Sequence, residues 1–365
     1  MEGAMKHNTP TSSDRVENSE QEKTRILLVT DEIGPEYALP GVKEETLCSR
    51  LQFHLVDLKS NKVHLRYTPS LLRYTVVTSA VAIDNSVYLF GGRHYIAESE
   101  IESESQKLDL LRSLHHDTVF IGASRYDLTS DQSQMNVWCP APVPTKNLNN
   151  PVFVSLGDKI YGFGKNYLEP EVLDPTSAQS KSLDLPSELV GCKVSRNAVT
   201  DPSKSRILVH VSDGRLPSPS IYAFSPNDDS TGGSWECIAV DFQDWTNAAA
   251  VVDNVIYFYK PSFPDFVRAF DLASGAWLKI RWKSKFKKVR RMNRNRSFVA
   301  MIRLGNKILC FAALKLIPEA GYSSTKVDLF KFRVEQSGKT IIVNALESYS
   351  YVLPDTRQVR EFLPL

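Results

Sequence analysis

The residues with the strongest chemical character sit in one stretch: KIRWKSKFKKVRRMNRNR, from Lys279 to Arg296, holds ten basic residues in eighteen and no acidic one. Up to Lys287 the charges alternate with Ile280, Trp282, Ser284 and Phe286. That is the pattern of an outer β-strand with one solvated face, where lysine also discourages pairing between molecules. Beyond it the alternation stops, and Lys287, Lys288, Arg290, Arg291, Arg294 and Arg296 crowd a segment that reads as a loop. Guanidinium groups grip carboxylate or phosphate through paired hydrogen bonds. The chemistry on offer is capture of an acidic protein or peptide, capture of nucleic-acid phosphates, or a nuclear-import signal. Aromatic stacking platforms are few in the stretch, which makes an acidic protein the first reading and nucleic acid the second.

The whole chain carries a net charge of only +2, so the rest of it is net acidic. Part of that charge is gathered in AESEIESESQKLD, with Glu98, Glu100, Glu102, Glu104 and Asp109. This segment reads as a flexible insertion or as an acidic patch tuned by phosphorylation.

Other groupings lead away from catalysis. His115-His116-Asp117 resembles a metal cluster, but adjacent histidines in a strand point to opposite faces. Gly162-x-Gly164 ends a strand and precedes no helix, so it is no dinucleotide fingerprint. HExxH, GxSxG and P-loop patterns are missing. An enzyme whose site assembles from distant loops in a central pocket is the third reading, and no cofactor or metal is expected. Five cysteines, an odd number without a CxxC pair, suggest reduced thiols rather than a disulfide framework or zinc ribbon. Residues 1–23 are polar and lack the apolar stretch of a signal peptide; they are expected to form a disordered tail. No run approaches the ~18 apolar residues of a membrane span, and the expected location is cytoplasm, nucleus or both.

The elements that would hold these residues are short strands. Helical periodicity is scarce, while β-branched and aromatic runs recur between polar turns. One unit is a pair of apolar runs around a tight turn: TVVTSAVAIDNSVYLFGG at 75–92, PVFVSLGDKIYGFG at 151–164, NAAAVVDNVIYFY at 247–259 and FVAMIRLGNKILCF at 298–311. A looser copy, SRNAVTDPSKSRILVHV, occupies 195–211. Asp-Asn, Gly-Asp or Gly-Asn at each tight turn tolerates the positive φ of a two-residue hairpin. A second unit, an apolar residue followed by Asp or Ser and a turn, marks third strands at Asp57, Asp127, Asp174, Ser225 and Asp271, with a degenerate sixth in KVDLFKFRVEQSGK at 326–339. The markers recur at the ~50-residue spacing of a propeller repeat, apart from a longer first gap.

The strings VYLFGG, with Gly91-Gly92, and FDLASGAW, with Asp271 and Trp277, resemble the kelch repeat. The chain is similar to divergent plant kelch-like proteins over roughly residues 24 to 350. Many of those carry an F-box, which the segment before residue 24 is too short to hold, so their ubiquitin-ligase adaptor role is not carried over. The resemblance implies an all-β, six-bladed kelch-type β-propeller over 24–353, closed by the chain termini, with a tail over 354–365. It also implies that Arg93, beside His94 and Tyr95, faces a central pocket and contacts a bound partner. The first blade shows only three strands, so its innermost strand is expected from IIVNALESYSYVL after Thr340. Two enzymatic kelch chemistries find no support: no copper constellation of histidines, tyrosines and cysteine emerges, and Ser105 and Ser113 flank Asp109 where an iron motif needs Glu and His.

Up-and-down strands place second-to-third loops on the same face as the links between blades. The long segments 31–50, 93–119, 139–150, 184–195 and 284–296 then share one face, and loops on a rigid scaffold carry function. In a ring of six the acidic insertion of blade 2 and the basic run leaving blade 5 stand on opposite rims. The expected function is a non-catalytic protein-protein interaction module that holds Arg93, His94, Tyr95 and the basic segment on that face.

Overall fold

A computed structural model of the chain describes residues 22–32, 49–67, 73–74, 79–90, 123–128, 139–140, 151–164, 168–213, 216–227, 232–243, 245, 248–260, 267–283, 298–318, 323–353 and 356–365. Runs of Val, Ile, Tyr and Phe favour pleated strands, and Asp, Asn and Gly between them turn each run back on the last. The first sheet holds β1 (Arg25–Glu32), β2 (Ser49–Asp57), β3 (Lys62–Tyr67) and the two-residue β4 (Arg73–Tyr74). The second holds β5 (Ser79–Ile83), β6 (Ser86–Phe90), β7 (Ala123–Asp127) and β8 (Cys139–Pro140). The third holds β9 (Val152–Leu156), β10 (Lys159–Phe163), β11 (Pro170–Asp174) and β12 (Gln179–Ser182). The fourth holds β13 (Lys193–Asp201), β14 (Arg206–Ser212), β15 (Ser220–Pro226) and β16 (Gly233–Ala239).

Two further antiparallel meanders complete the order. They are β17 (Ala249–Val252), β18 (Val255–Tyr259), β19 (Val267–Asp271) and β20 (Ala276–Trp282), then β21 (Phe298–Gly305), β22 (Ile308–Pro318), β23 (Ser323–Ser337) and β24 (Thr340–Leu353). They are fused into one eight-stranded sheet because β20 pairs in parallel with β24, Lys279 beside Thr340 through Trp282 beside Val343. The last strand, β25 (Thr356–Pro364), pairs antiparallel with β1.

Burial explains how the sheets stand. Second strands are buried on both faces: all five residues of β6 and of β18 are buried. Outer strands β12 and β16 are largely exposed. A strand buried on both faces needs a neighbour on each side, and apolar clusters fill each gap between consecutive sheets. Leu27, Phe53 and Leu363 meet Ala80 and Leu89; Phe90 meets Phe153 and Leu173; Tyr161 and Phe163 meet Val209 and Phe224. Leu208 and Ala223 meet Ile256, Phe258 and Phe270, and Tyr257 and Ala269 meet Phe311 and Phe330. Ile26, Val56 and Phe362 meet Cys310 and Leu329, joining the last meander to the first sheet. Sheets stacked face to face about a shared centre make this all-β fold a β-propeller.

The tight turns behave as their residues require. Asp84, Gly157, Asp253 and Asn254 all take positive φ, between 48° and 62°. In the hairpin of β21 and β22 the turn falls on Asn306-Lys307, one residue later than the Gly-Asn reading, and Lys307 takes φ 58°. The third-strand markers have a common role at the turn that follows. Asp57 Oδ1 accepts the N–H groups of Lys59 and Ser60 at 2.9 and 3.3 Å, and Asp174 Oδ1 accepts those of Thr176 and Ser177 at 2.8 and 3.2 Å. Asp271 Oδ1 accepts Ala273 N–H at 2.9 Å. The following leucine anchors the unit: the N–H groups of Leu58, Leu128 and Leu272 donate to the carbonyls of Thr24, Asn85 and Asn254 at 2.9, 2.7 and 3.0 Å. After Asp174 comes Pro175, which has no N–H; there Lys159 Nζ donates to Asp174 Oδ2 at 2.7 Å and holds the carboxyl down to about 2.

Three expectations are corrected. Residues 354–365 are not a tail, because Thr356–Pro364 forms β25, with Val359, Phe362 and Leu363 buried. IIVNALESYSYVL is not an innermost strand but the outer strand β24. Asp328 does not precede a turn; it lies inside β23, accepts Ser350 Oγ at 2.6 Å, and the chain turns only at Gly338-Lys339. The turn-anchoring N–H in that meander belongs to Val334, which donates to Lys307 O at 2.9 Å.

Candidate binding surface and central cavity

The strands β25, β5, β9, β13, β17 and β21 line a shared cavity of about 590 Å³. Each uses one edge for its own sheet and leaves the other toward the cavity, so the wall offers backbone donors and acceptors. Side chains along these strands are small or apolar, as in Ala80, Ala82, Ala198, Ala249 and Ala250, with Ser79, Ser155 and Thr200 among them. Arg303, Glu361 and Lys23 supply charge. The lining reaches Asp84, Gly157, Pro202 and Gly305, so one mouth is rimmed by the tight turns. Lys23 sits there with its N–H on Leu304 O at 2.6 Å and its ammonium on Pro364 O at 3.3 Å.

The histidines described with side chains buried serve the fold. Thr30 donates its single hydroxyl proton to Gln52 O at 3.3 Å and so receives the Nε2–H of His54 at 3.1 Å. Burial pushes this imidazole down to about 4. His210 Nε2 donates to Phe242 O at 2.7 Å, and its ring stacks on Trp245 with centroids 5.4 Å apart. Burial lowers the pKa of this imidazole as well. The most deeply buried ion pair among the described residues is also internal: Arg206 Nε meets Asp201 Oδ2 at 2.9 Å with both side chains almost fully buried, and Arg206 Nη2 reaches Asn254 Oδ1 at 3.1 Å. This pair pins the fourth sheet to the tight turn of the next. Among the described residues no group of three or more His, Cys, Asp or Glu is placed to hold a metal.

No protein-family model matches the chain, and no curated protein matches its sequence. Solved structures are similar in fold. A chain from the crystal structure of a nidogen/laminin complex aligns with TM-score 0.47 and 11% identity over 93% of this chain and 98% of that one. A chain from the structure of YCF48 bound to D1 peptide gives 0.42 and 11% over 93% and 92%. The acylaminoacyl peptidase of Pyrococcus horikoshii gives 0.40 and 11% over 89% and 63%. At these scores the likenesses carry no argument about activity.

The residues singled out from sequence, Arg93, His94, Tyr95, Lys287, Lys288, Arg290, Arg291, Arg294 and Arg296, lie outside the described residues, as does the acidic insertion. Their anchors are described. The first group follows Phe90 at the end of β6, and the second runs between Trp282, the end of β20, and Phe298, the start of β21. Antiparallel pairing sets Phe90 beside Ser79 and Phe298 beside Leu314, at the strand ends away from the tight turns. Sequence reading missed the cavity-lining residues Arg303 and Glu361. Arg303 is a lone charge in the otherwise apolar FVAMIRLG, which also fits an ordinary solvated edge, and Glu361 gives no signal at all among the neighbouring polar residues of TRQVREFLP.

Proposed function

We propose that the chain is a six-bladed, kelch-type propeller, its ring closed by β25 on β1, and that it works as a non-catalytic protein-interaction module. It takes a protein or peptide of acidic character on the long-loop face, in the cytoplasm, nucleus or both. Arg93, His94, Tyr95 and the basic segment from Lys287 to Arg296 make the contacts. The observation that carries this reading is the common end of the sheets from which both groups depart, opposite the tight turns. Supporting it, the buried histidines and the Asp201–Arg206 pair are engaged in holding sheets together, which favours a rigid scaffold over an assembled active site.

The test is quantitative affinity capture with the full chain and with a variant carrying Arg290→Glu and Arg291→Glu. The wild-type partner set should fall about tenfold or more in the variant, as reversing paired charges at an interface does, while the melting temperature stays unchanged. Unaltered capture removes the basic segment from the surface. The second reading, nucleic acid on the same segment, is favoured by its charge density and demands affinity that drops steeply with added salt; a flat response to salt dismisses it.

A further inference from the structure

The parallel seam between β20 and β24 joins the outer strands of the last two meanders, so one continuous surface runs across it. The N–H groups of Lys279 and Lys283 donate to Lys339 O and Val343 O, both at 3.0 Å, and the ladder therefore extends through Lys283. Alternation along the strands assigns the two faces. Ile280, Trp282, Val334, Ile341 and Val343 point into the cluster that packs the two meanders together. Lys279, Arg281 and Lys283 share the opposite face with Thr340, Ile342 and Asn344 of β24, and with Arg333, Glu335 and Ser337 of β23, whose pairing with β24 is regular over this stretch. The four cations in these rows are exposed, as is Lys339 in the adjoining turn. Among the described residues none of the five is joined to a carboxylate. Half-buried Glu335 is the one acid in the rows, and the sequence that continues from Lys283 adds none, because residues 284–297 contain no Asp or Glu.

Strand residues two apart on one face stand about 6.6 Å from each other, and neighbouring strands about 4.8 Å. Lys279, Arg281 and Lys283 thus form a row about 13 Å long, with Arg333 two strands over, about 10 Å to its side. Evenly repeated cations suit a polymer whose negative charge also repeats evenly, and a phosphodiester backbone is such a polymer. Thr340, Asn344 and Ser337 add hydroxyl and amide groups of the kind that hold phosphate oxygens. A protein partner would need an apolar, aromatic-rich centre, and the only apolar side chain in these rows is half-buried Ile342. Trp277 extends the β20 row by one step and is 39% exposed. Its ring already carries two partners, Phe242 stacked with centroids 5.3 Å apart and the Arg268 guanidinium 3.6 Å from the ring centroid. The row therefore offers charge to a backbone rather than a stacking platform to bases.

We propose that this outer face of β20, β24 and β23 binds the phosphate backbone of nucleic acid without sequence preference. The site stands on strand residues alone and does not depend on capture of an acidic protein by the loops.

The test is fluorescence anisotropy of a labelled DNA duplex of mixed sequence, titrated with the full chain over a range of salt. Binding should be indifferent to sequence, and the logarithm of affinity should fall linearly with that of salt. Lys279→Thr with Arg281→Thr and Lys283→Thr keeps strand propensity; it should weaken binding by about tenfold or more and reduce the salt slope by about 2–3. Arg333→Gln, on a different strand, should reduce the slope by about 1, and neither variant should move the melting temperature. Absence of duplex binding at low salt, or a slope unchanged in both variants, overturns the proposal. So does binding that falls only in Arg290→Glu with Arg291→Glu, which assigns nucleic acid to the loop segment. A triple variant that keeps the duplex but loses phosphatidylserine vesicles or polyglutamate overturns it too, and assigns the face to a membrane or an acidic protein.

Discussion

His54 condenses what single residues do here. Its imidazole is buried and donates to Thr30, whose own proton goes to Gln52 O, so the site is built for the neutral ring. Folding lowers this group's pKa from 6.5 to about 4. Between those values the unfolded chain binds the extra proton and the folded chain does not, so the stabilisation is complete above 6.5 and lost as pH falls toward 4. Urea denaturation across that window should show stability falling by a few kcal/mol, since each pKa unit is worth about 1.4 kcal/mol. His54→Gln should flatten the slope; an unchanged slope contradicts the assignment. The sequence offered no sign of this role, because a histidine in LQFHLVDL reads the same whether it faces a core or water. The marker aspartates were more legible. An Asp before a turn has a local task, bonding N–H groups two and three residues on, and Asp57, Asp174 and Asp271 perform it. The DL pair at Asp328-Leu329 misled for the same reason, since a local pattern says nothing about where a long strand stops.

At the scale of elements, the hairpins were legible because period and turn chemistry agree within a dozen residues. β5 with β6, β9 with β10, β13 with β14, β17 with β18 and β21 with β22 fall where two apolar runs flank Asp, Asn or Gly. β25 was not legible. Its apolar residues Val359, Phe362 and Leu363 sit among Arg357, Arg360 and Glu361 and between prolines, and what makes them a strand is β1, more than 300 residues away in sequence. Deleting residues 356–365 tests its place. The loss uncovers the β1 edge and the side chains of Val359, Phe362 and Leu363, each worth about 1.5–3 kcal/mol when buried. That sum rivals the 5–15 kcal/mol of a typical domain, so the truncated chain should be unfolded or aggregated by circular dichroism and light scattering. A truncation that melts like the full chain contradicts a structural β25.

Across the whole molecule, the stacked sheets gather distant residues into two unlike ends. One is the tight-turn mouth, where Asp84, Gly157, Pro202 and Gly305 rim the cavity beside Lys23. The other is the end from which the basic segment and the residues after Phe90 depart. The fold class was readable because repeats declare themselves in a single sequence. The identity of a partner was not, since no chemical motif in the loops is specific to one. Site-specific photo-crosslinking locates the working surface, with the photoreactive residue placed in turn at Arg93, Arg291, Asp158 and Asp253. One partner should be captured from both Arg93 and Arg291 and from neither aspartate. Capture from Asp158 or Asp253, with none from Arg93 and Arg291, would move the working surface to the tight-turn mouth and contradict its place on the long-loop face.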